Sequence, residues 1–572
     1  MNYKYVVTNK VIPLQTLKPL CAALLLAAAP FCVQAAGPEV PDAGSILREI
    51  QPLEAPVPSS TGTGLRIVPS VSTLPASAPF RVKALRISGN TAFDNATLHA
   101  LVAEAENTDM TLSQLGELTD RITAYYREQG YPLARAIIPA QTIRDGQVLI
   151  QVVEAHYGEI SLDNRSRVKD SLLTAALVPL KSGQAIRQTA LDQQLLLLSD
   201  IPGIAIKATL KPGQAVGTSD LQVDTLESPR VSANLTLDGY GNRATGRERL
   251  GGTLNINNLS GHGDVLSLSA LSSGSGLNYG RLGYESLVNG QGTRVGGSYS
   301  ALDYQLAEEF EDLDAHGNAQ VGSLWAKHPL IRSRNLNLSG QIQYDRLRLR
   351  DRVDLSEIRT DRHLDNGTAS LAGDARDTLG AGSISLWSLG VTVGRVAFDD
   401  SVAEAADAAS ANSQGGFSKW NASLTHLQRL SPNTSLYLTL SGQWADGNLD
   451  SSQKMSAGGP YSVRAYDIGA LSGDSGYSGS VELRHDLGMT WAGQWQALAF
   501  IDSAQVTLNQ DSWSGLSGAN KATLSGAGVG LNWTGPNQWS AKASIAAPIG
   551  ATPALLSDAD SVRGWLAVSR GF

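Results

Sequence analysis

The segment that decides the fold reads Val231-Ser-Ala-Asn-Leu-Thr-Leu237, with apolar residues at odd positions and polar or small ones between them. The same alternation returns at residues 436–440 and 481–487, and the series continues to the last residue, Phe572. Period-two patterning places one face of each strand in an apolar environment and the other in a polar one. A soluble sandwich would give the same local pattern, but a long series that ends on an aromatic residue indicates an outer-membrane barrel.

The length of this region, residues 228–572, sets the number of strands. Membrane strands take about 9–11 residues, and bacterial barrels contain even numbers of strands. Roughly 21 residues for each strand with its connection predict about 16 antiparallel strands, and 14 or 18 would fit as well.

Residues 1–35 are predicted to be a signal peptide. They contain three lysines and no acidic residue, then an apolar run at residues 20–29 and the small-residue ending Val33-Gln-Ala35. This order predicts cleavage after Ala35. A membrane anchor is the alternative, but spanning a bilayer takes about 20 apolar residues.

Composition excludes several classes of protein. Both cysteines, Cys21 and Cys32, lie in the signal segment, so the mature chain holds neither a disulfide nor a thiolate metal site. A formal net charge of −8 argues against nucleic-acid binding. The histidines lack ligand-like spacing and no triad or paired acid and base is found, so we expect no metal, no cofactor and no enzyme activity.

A short helix precedes the first domain, within residues 36–51. Its apolar face consists of Ile46, Leu47 and Ile50, and Pro52 ends it. A helix of barely three turns is not stable alone in water, so we expect a docking site for it. The following residues 52–79 are rich in Pro, Ser, Thr and Gly, which predicts a periplasmic linker of about 80–90 Å when extended. That length exceeds the ~30 Å hydrocarbon core, so the linker could thread a barrel.

Two similar units follow, at residues 80–154 and 155–227. Each is predicted to run strand, helix, helix, strand, strand over about 75 residues, enough for a small core. In the first unit the predicted strands are 81–88, 134–140 and 147–153, and the predicted helices are 95–105 and 111–129. Neither unit shows a catalytic constellation.

The most specific motif is Ser462-Val-Arg-Ala-Tyr466, which is followed by Gly473-Asp-Ser-Gly-Tyr477 and Glu482-Leu-Arg484. A second short motif, Phe500-Ile-Asp502, places its first and third residues on one strand face, pointing into the lumen. Three other segments contain distinctive residues at fixed intervals: 237–249, 258–264 and His328-Pro-Leu-Ile-Arg-Ser-Arg334.

The order of parts and these motifs resemble the two-partner secretion transporters, the TpsB family of ShlB/FhaC-like haemolysin secretion-activation proteins, in the superfamily of the barrel-assembly factor BamA. The resemblance implies that the two units are POTRA domains. It also implies an inward-folded loop around residues 455–478, here called the inward loop, whose tip is Val463, Arg464, Ala465 and Tyr466. In the family, the motif arginine pairs with the aspartate of an F-x-D motif on the inner wall of the barrel. The corresponding residues here are Arg464 for the arginine, and Phe500 and Asp502 for the F-x-D motif. Ala465 replaces the usual glycine, so we expect a negative φ there.

The implied function is an ATP-independent outer-membrane pore that recognises an unfolded exoprotein in the periplasm through its POTRA domains and secretes it. The helix would plug the pore at rest. Expected partners are a large secreted exoprotein, the barrel assembly machinery during biogenesis and outer-membrane lipid, with no nucleic acid, and the pore is expected to be monomeric. Adhesin, haemolysin, toxin and haem-scavenging partners all stay open. The alternatives are a BamA-like assembly factor, which usually carries more periplasmic modules and lacks the helix and linker, and a passive porin, which lacks the modules and the loop motif.

Further predictions concern the C-terminal residues, the tryptophans and three charged residues of the barrel region. Leu566, Val568 and Phe572 resemble the C-terminal recognition signal of outer-membrane barrels, although Arg570 shares their register. Five tryptophans are candidates for an interfacial girdle: Trp491, Trp495, Trp533, Trp539 and Trp565. Three charged residues are interpreted as ordinary pore lining: Glu482, Arg484 and Asp486.

Overall fold

A computed structural model describes residues 40–50, 59–63, 65–67, 77–490, 492–556 and 560–572. The predicted signal peptide, most of the predicted linker and Trp491 lie outside these residues. Among the helices that the structure describes, none is long and apolar enough to cross a membrane.

Sixteen of the described strands close into one antiparallel barrel, which confirms the predicted fold class and strand number. The strands are β10 (Val231–Asp238), β11 (Arg249–Asn257), β12 (Val265–Ser272), β13 (Leu277–Leu287), β14 (Arg294–Gln305), β15 (Ala315–Arg332), β16 (Leu336–Val353), β17 (Ile358–Asp377), β18 (Ser383–Phe398), β19 (Gly415–Ser431), β20 (Thr434–Ala445), β23 (Ser475–Thr490), β24 (Gly493–Thr507), β25 (Lys521–Thr534), β26 (Trp539–Pro548) and β27 (Arg563–Gly571). The first and last strands pair from Asn234↔Gly571 to Asp238↔Ala567 and close the wall.

The alternating pattern sorts side chains between the outside and the lumen. On β10, Leu235 and Leu237 are exposed on the outer surface, where lipid would cover them. On the longer strands β16 and β17, alternate residues such as Leu349 and Leu364 point inward and are fully buried. They are buried because a helix lies against them inside the barrel.

That helix is α1 (Ala43–Ile50), near the N-terminus. Ile46 and Leu47 are buried in one cluster with inward-facing wall residues, and Ile50 packs at its margin. The inward loop also enters the lumen, where β21 (Met455–Ala457) pairs with β22 (Leu471–Gly473). Two separate parts of the chain therefore occupy the interior.

The first α+β unit contains one three-stranded sheet in the order β3-β6-β5 and a separate pair, β2-β4. Its elements are β2 (Phe80–Val82), β3 (Ala84–Ser88), α2 (Asn95–Ala100), β4 (Thr108–Met110), α3 (Leu112–Glu128), β5 (Arg135–Ile137) and β6 (Gln147–Val153). The predicted single strand 81–88 is wrong, because the chain changes partner at Lys83. There, Gly146 O accepts hydrogen bonds from the backbone N–H groups of Lys83 (2.7 Å) and Ala84 (3.3 Å).

A buried carboxylate, that of Glu154, lies at the boundary between the first and the second unit. Glu154 accepts hydrogen bonds from the Ala92 N–H (2.9 Å), the Thr91 N–H (2.8 Å) and the Tyr126 hydroxyl (2.7 Å). Burial raises the pKa of Glu154, but these hydrogen bonds outweigh burial and hold the pKa below its ordinary value. The carboxylate therefore fastens the loop before α2 to the end of β6.

The second unit has a four-stranded sheet in the order β1-β8-β9-β7. Its elements are β7 (His156–Arg165), α4 (Asp170–Leu177), α5 (Gln188–Ser199), β8 (Ile204–Pro212) and β9 (Thr218–Glu227), with β1 (Leu65–Ile67) added from the linker. β1 runs parallel to β8 along the sheet edge, from Leu65↔Ala208 to Ile67↔Leu210. The sequence predicted no strand in the linker, and for residues 65–67 this prediction is wrong.

Candidate functional site: the barrel lumen

The N-terminal end of α1 is fixed by one buried arginine of the barrel wall. Arg362 on β17 has only 3% of its surface exposed. Its guanidinium donates hydrogen bonds to three carboxylates: Asp42 (2.6 Å), Asp351 (2.5 Å) and Asp450 (2.5 Å). One cation therefore links the start of the helix to the wall and to the segment that enters the inward loop.

Asp42 and Asp351 also bind the helix backbone. Asp42 accepts a hydrogen bond from the Ser45 N–H (2.8 Å), which is the geometry of an N-cap. Asp351 accepts from the Ala43 N–H (2.7 Å) and from the Tyr304 hydroxyl (2.7 Å). Negative charge at a helix N-terminus is favourable because the backbone N–H groups there carry partial positive charge.

The other end of α1 contacts the loops. Arg48 donates to Lys454 O (2.6 Å) and to Ser472 Oγ (3.1 Å), both in or beside the inward loop. Asn242, in the loop after β10, donates to the Glu49 carboxylate at 3.1 and 3.2 Å. The helix and the inward loop thus hold each other in place.

At the tip of the inward loop, the structure brings Arg464 and Asp502 together. Arg464 Nε donates to Asp502 Oδ2 (2.8 Å), and its Nη2 donates to Oδ1 (2.6 Å), which is a bidentate pair. The Arg464 backbone N–H also donates to Asp502 Oδ2 (3.1 Å). Asp502 is fully buried, and the guanidinium lies 3.3 Å from the centre of the Phe500 ring.

A second carboxylate completes this contact. Glu482 on β23 accepts from Arg464 Nη1 (2.7 Å) and also binds Arg484 through Nη2 (2.6 Å). The interpretation of Glu482 as ordinary pore lining is therefore wrong. The alternation of Glu482 with Leu483 predicted that Glu482 faces the lumen. It did not reveal the ionic partner of Glu482, because that partner, Arg464, lies 18 residues away in the inward loop.

The backbone of Arg464 is bound by the last strand. Trp565 Nε1 on β27 donates to Arg464 O (2.7 Å), and the Trp565 ring packs edge-on against Tyr240 at 5.9 Å. Only 5% of the Trp565 surface is exposed, so its assignment to the interfacial girdle is wrong. Tyr240, which follows β10, also packs edge-on against Tyr461 of the inward loop at 5.7 Å, so this loop contacts residues at both sides of the barrel closure.

The remaining tip residues are packed against the wall. Val463, Ala465 and Tyr466 are all buried in one cluster with residues of β24 and β25. Ala465 lies directly against Gly526 of β25, where a side chain would collide with the Ala465 methyl. Ala465 does not have a positive φ, so alanine is accommodated without backbone strain.

The predicted C-terminal signal residues lie on the last strand. Leu566 and Phe572 are exposed on the outer surface, and Val568 pairs with Leu237 of β10. The Arg570 guanidinium lies over the rings of Trp539 (5.3 Å) and Phe572 (4.6 Å). Arg570 is therefore accommodated among aromatic rings at the membrane edge.

At the periplasmic end, the segment 328–334 holds the second unit and the linker. Arg332 donates to Asp200 at 2.6 and 2.8 Å and to Ser60 O at 2.8 Å. Arg334 donates to Asp192 of α5 at 2.7 Å. These contacts join the barrel rim to the linker, to α5 and to the residue at the C-terminal end of α5.

Comparison with known proteins identifies the family of this chain. The family model of the haemolysin secretion/activation protein ShlB/FhaC/HecB matches residues 217–533, more than half of the chain. The chain belongs to this family. The model of the ShlB-type POTRA domain matches residues 80–155, so the first unit is a POTRA domain.

Relatives and solved structures agree with this placement. The heme/hemopexin transporter protein HuxB of Haemophilus influenzae is 29% identical over 467 residues, which is 81% of this chain and 82% of that protein. The structure of CdiB from Escherichia coli superposes with a TM-score of 0.67 at 22% identity, covering 88% of this chain and 93% of that one. BamA from Haemophilus ducreyi, lacking POTRA domains 1–3, gives a TM-score of 0.52 at 14% identity, covering 86% and 100%. These two structures support the fold alone.

Family membership confirms the predicted function and location. The protein is an outer-membrane transporter that secretes a large partner exoprotein, and its POTRA domains lie in the periplasm. The alternative of an assembly factor like BamA is not favoured. The family consists of transporters and not of enzymes.

Proposed function

We propose that α1 and the inward loop together close the pore at rest and leave their positions when a partner is secreted. The observation that carries this proposal is their attachment: both lie in the lumen, and buried ion pairs fix both to the wall. Water and a passing chain can replace hydrogen bonds and ion pairs, so this attachment is reversible.

The helix itself has little stability of its own. Eight residues are too few to remain helical in water, so α1 depends on the wall for its structure. Leaving the lumen would therefore release the helix as an unstructured chain.

Partner capture is assigned to the POTRA domains through edge pairing. An extended chain can add to an exposed sheet edge by backbone hydrogen bonds, which suits a partner of varied sequence. The pairing of β1 with β8 supports this, because it shows that the edge of the second unit accepts an extended strand.

We also propose that the chain divides into signal peptide, helix segment, linker, two POTRA units and barrel at residues 35, 51, 79, 154 and 227. A closed barrel leaves no unpaired edge, which supports a monomeric pore. Leu566, Val568 and Phe572 would be read by the barrel assembly machinery during insertion, and folding of the partner outside the cell would supply the direction of transport.

The test is Arg464→Ala in the full chain. Losing the cation leaves Asp502 buried without its ionic partner and leaves Glu482 with Arg484 alone, so the loop tip should leave its position and partner secretion should fall by about tenfold or more. The barrel should still migrate as a heat-modifiable band. Arg281→Ala is the matched control: Arg281 is a luminal arginine whose side chain, among the described residues, hydrogen-bonds to Ser298 and forms no ion pair, so this variant should secrete normally. Normal secretion by the Arg464 variant would contradict the proposal.

A further inference from the structure

The outer surface of β16 changes abruptly from apolar to basic. From Leu336 to Tyr344 the outward positions are apolar or aromatic, and the next outward positions are Arg346, Arg348, Arg350 and Arg352. The assignment of faces follows from burial: Ile342 and Tyr344 are 67% and 45% exposed, whereas Leu347 and Leu349, at the alternate positions, are buried under α1.

The position of this change along the strand matches the edge of the membrane. A barrel strand crosses the hydrocarbon in about 9–11 residues, and the outward apolar run 336–344 fills that length. β16 continues for nine more residues, to Val353. Its opposite end adjoins Arg334, which binds the periplasmic second unit. The arginines therefore lie just above the hydrocarbon on the cell-surface side.

Neighbouring strands extend the basic surface at the same height. Antiparallel pairing sets Arg352 opposite Arg359 on β17, and Arg395 of β18 lies opposite Asp365. Directly paired residues point to the same side of a sheet, so these side chains also face outward. We call the six arginines the outer arginine patch: Arg346, Arg348, Arg350, Arg352, Arg359 and Arg395.

The acidic residues in the patch neutralise only part of it. Asp361 pairs with Arg352 at 2.5 Å, and Asp365 accepts from the Tyr344 hydroxyl and lies 3.9 Å from Arg346. The third, Asp399, binds His363 at 2.8 Å. Within the part of the chain that the structure describes, the guanidinium groups of four arginines make neither a hydrogen bond nor an ion pair: Arg348, Arg350, Arg359 and Arg395.

We propose that the outer arginine patch binds the phosphate groups of the glycolipid that forms the outer leaflet of the outer membrane. The outward apolar band would contact the acyl chains, and the arginines lie at the level of the phosphorylated headgroups. Alternate residues of a strand lie about 6.6–6.8 Å apart, so neighbouring guanidinium groups reach one headgroup together. Guanidinium groups match phosphate oxygens because they donate in parallel pairs. This lipid site goes beyond secretion of the partner.

The test measures lipid binding to the purified full-length transporter in neutral detergent by native mass spectrometry. The probes are bisphosphorylated lipid A, its fully dephosphorylated form with the same acyl chains, and inorganic phosphate. Arg348→Gln/Arg350→Gln removes two of the arginines without an ion pair. Arg86→Gln/Arg144→Gln is the matched control, since it removes two exposed arginines from the first unit.

An arginine near an anionic lipid surface contributes about fivefold to binding, so the double variant should bind bisphosphorylated lipid A about 25-fold more weakly. The control should bind like the unaltered chain, and the dephosphorylated lipid should bind all three chains equally weakly. Three results of the lipid-binding measurement would overturn the proposal. They are unchanged lipid A binding by Arg348→Gln/Arg350→Gln, equal binding of phosphorylated and dephosphorylated lipid, and displacement of lipid A by inorganic phosphate at equal concentration. A loss of partner secretion with unchanged lipid A binding would assign the patch to the exoprotein and would also overturn it.

Discussion

At the scale of single residues, the contact between Ala465 and Gly526 defines how closely the inward loop approaches the wall. A side chain at Gly526 would overlap the Ala465 methyl group. We therefore expect Gly526→Ala to displace the loop tip, at about 1–3 kcal/mol as for other overpacked sites. Protease cleavage of the inward loop in whole cells should increase accordingly.

A second change separates this clash from other effects of the substitution. Ala465→Gly removes the methyl group that the new side chain meets, so Ala465→Gly/Gly526→Ala should regain much of the protection. Gly564→Ala is the control, because no atom lies within 4 Å of the position its side chain would take. If the double variant is cleaved as fast as Gly526→Ala, the loop tip does not depend on this contact.

Residues in short motifs could be identified from the sequence, and residues outside them could not. Arg464 and Asp502 each lie in a recognisable segment, and the structure joins them. Arg362 lies in no such segment, and although Glu482 does, its motif did not reveal its role; both roles depend on partners distant in sequence. Trp565 shows the same limit: alternation near the membrane edge suits a girdle residue, whereas its hydrogen bond to Arg464 O depends on a loop that begins about 100 residues earlier.

At the scale of elements, the docking of α1 depends on the charge at Arg362. Arg362→Gln would leave Asp42, Asp351 and Asp450 facing one another without a cation. Breaking a buried ion pair costs about 3–5 kcal/mol, so the undocked population should rise about a hundredfold or more. Conductance in planar bilayers should then approach that of a chain lacking residues 41–51.

Arg362→Lys keeps the charge but cannot bind three carboxylates at once, so its conductance should lie between these values. Arg281→Gln serves as the luminal control and should conduct like the unaltered chain. If Arg362→Gln and the deletion both leave conductance unchanged, α1 does not close the pore.

The elements also show where sequence patterns lose their power. The barrel and its approximate number of strands were predictable because the two-residue period returns again and again over a long region. β1 has three residues, Leu65–Ile67, and its strand conformation depends on the edge of β8 rather than on its own sequence. In the same way, β2 separates from β3 because of the backbone of Gly146, which no local pattern reveals.

At the scale of the whole molecule, Arg332 joins three parts of the chain: the barrel, the second unit and the linker. It belongs to the barrel, binds Asp200 next to α5 of the second unit, and also binds Ser60 O of the linker. Departure of the linker would remove one of its partners, so the attachment of the second unit to the barrel should weaken when α1 leaves. Movement of the helix is thereby linked to the orientation of the POTRA domains.

A charge exchange tests this coupling. Arg332→Asp and Asp200→Arg, each alone, place like charges together, so the distance between the second unit and the barrel rim should broaden and secretion should fall. The exchanged pair, Arg332→Asp/Asp200→Arg, restores the ion pair with the second unit. It cannot restore the contact with the linker, because a carboxylate at position 332 has no proton to donate to Ser60 O. The exchange should therefore recover the distance but only part of the secretion.

Spin labels at Lys207→Cys and Leu379→Cys report the distance between the second unit and the barrel rim, and both native cysteines precede residue 35. If the exchanged pair secretes fully, the linker contact has no role, and if neither single variant shifts the distance, Arg332 does not hold the second unit.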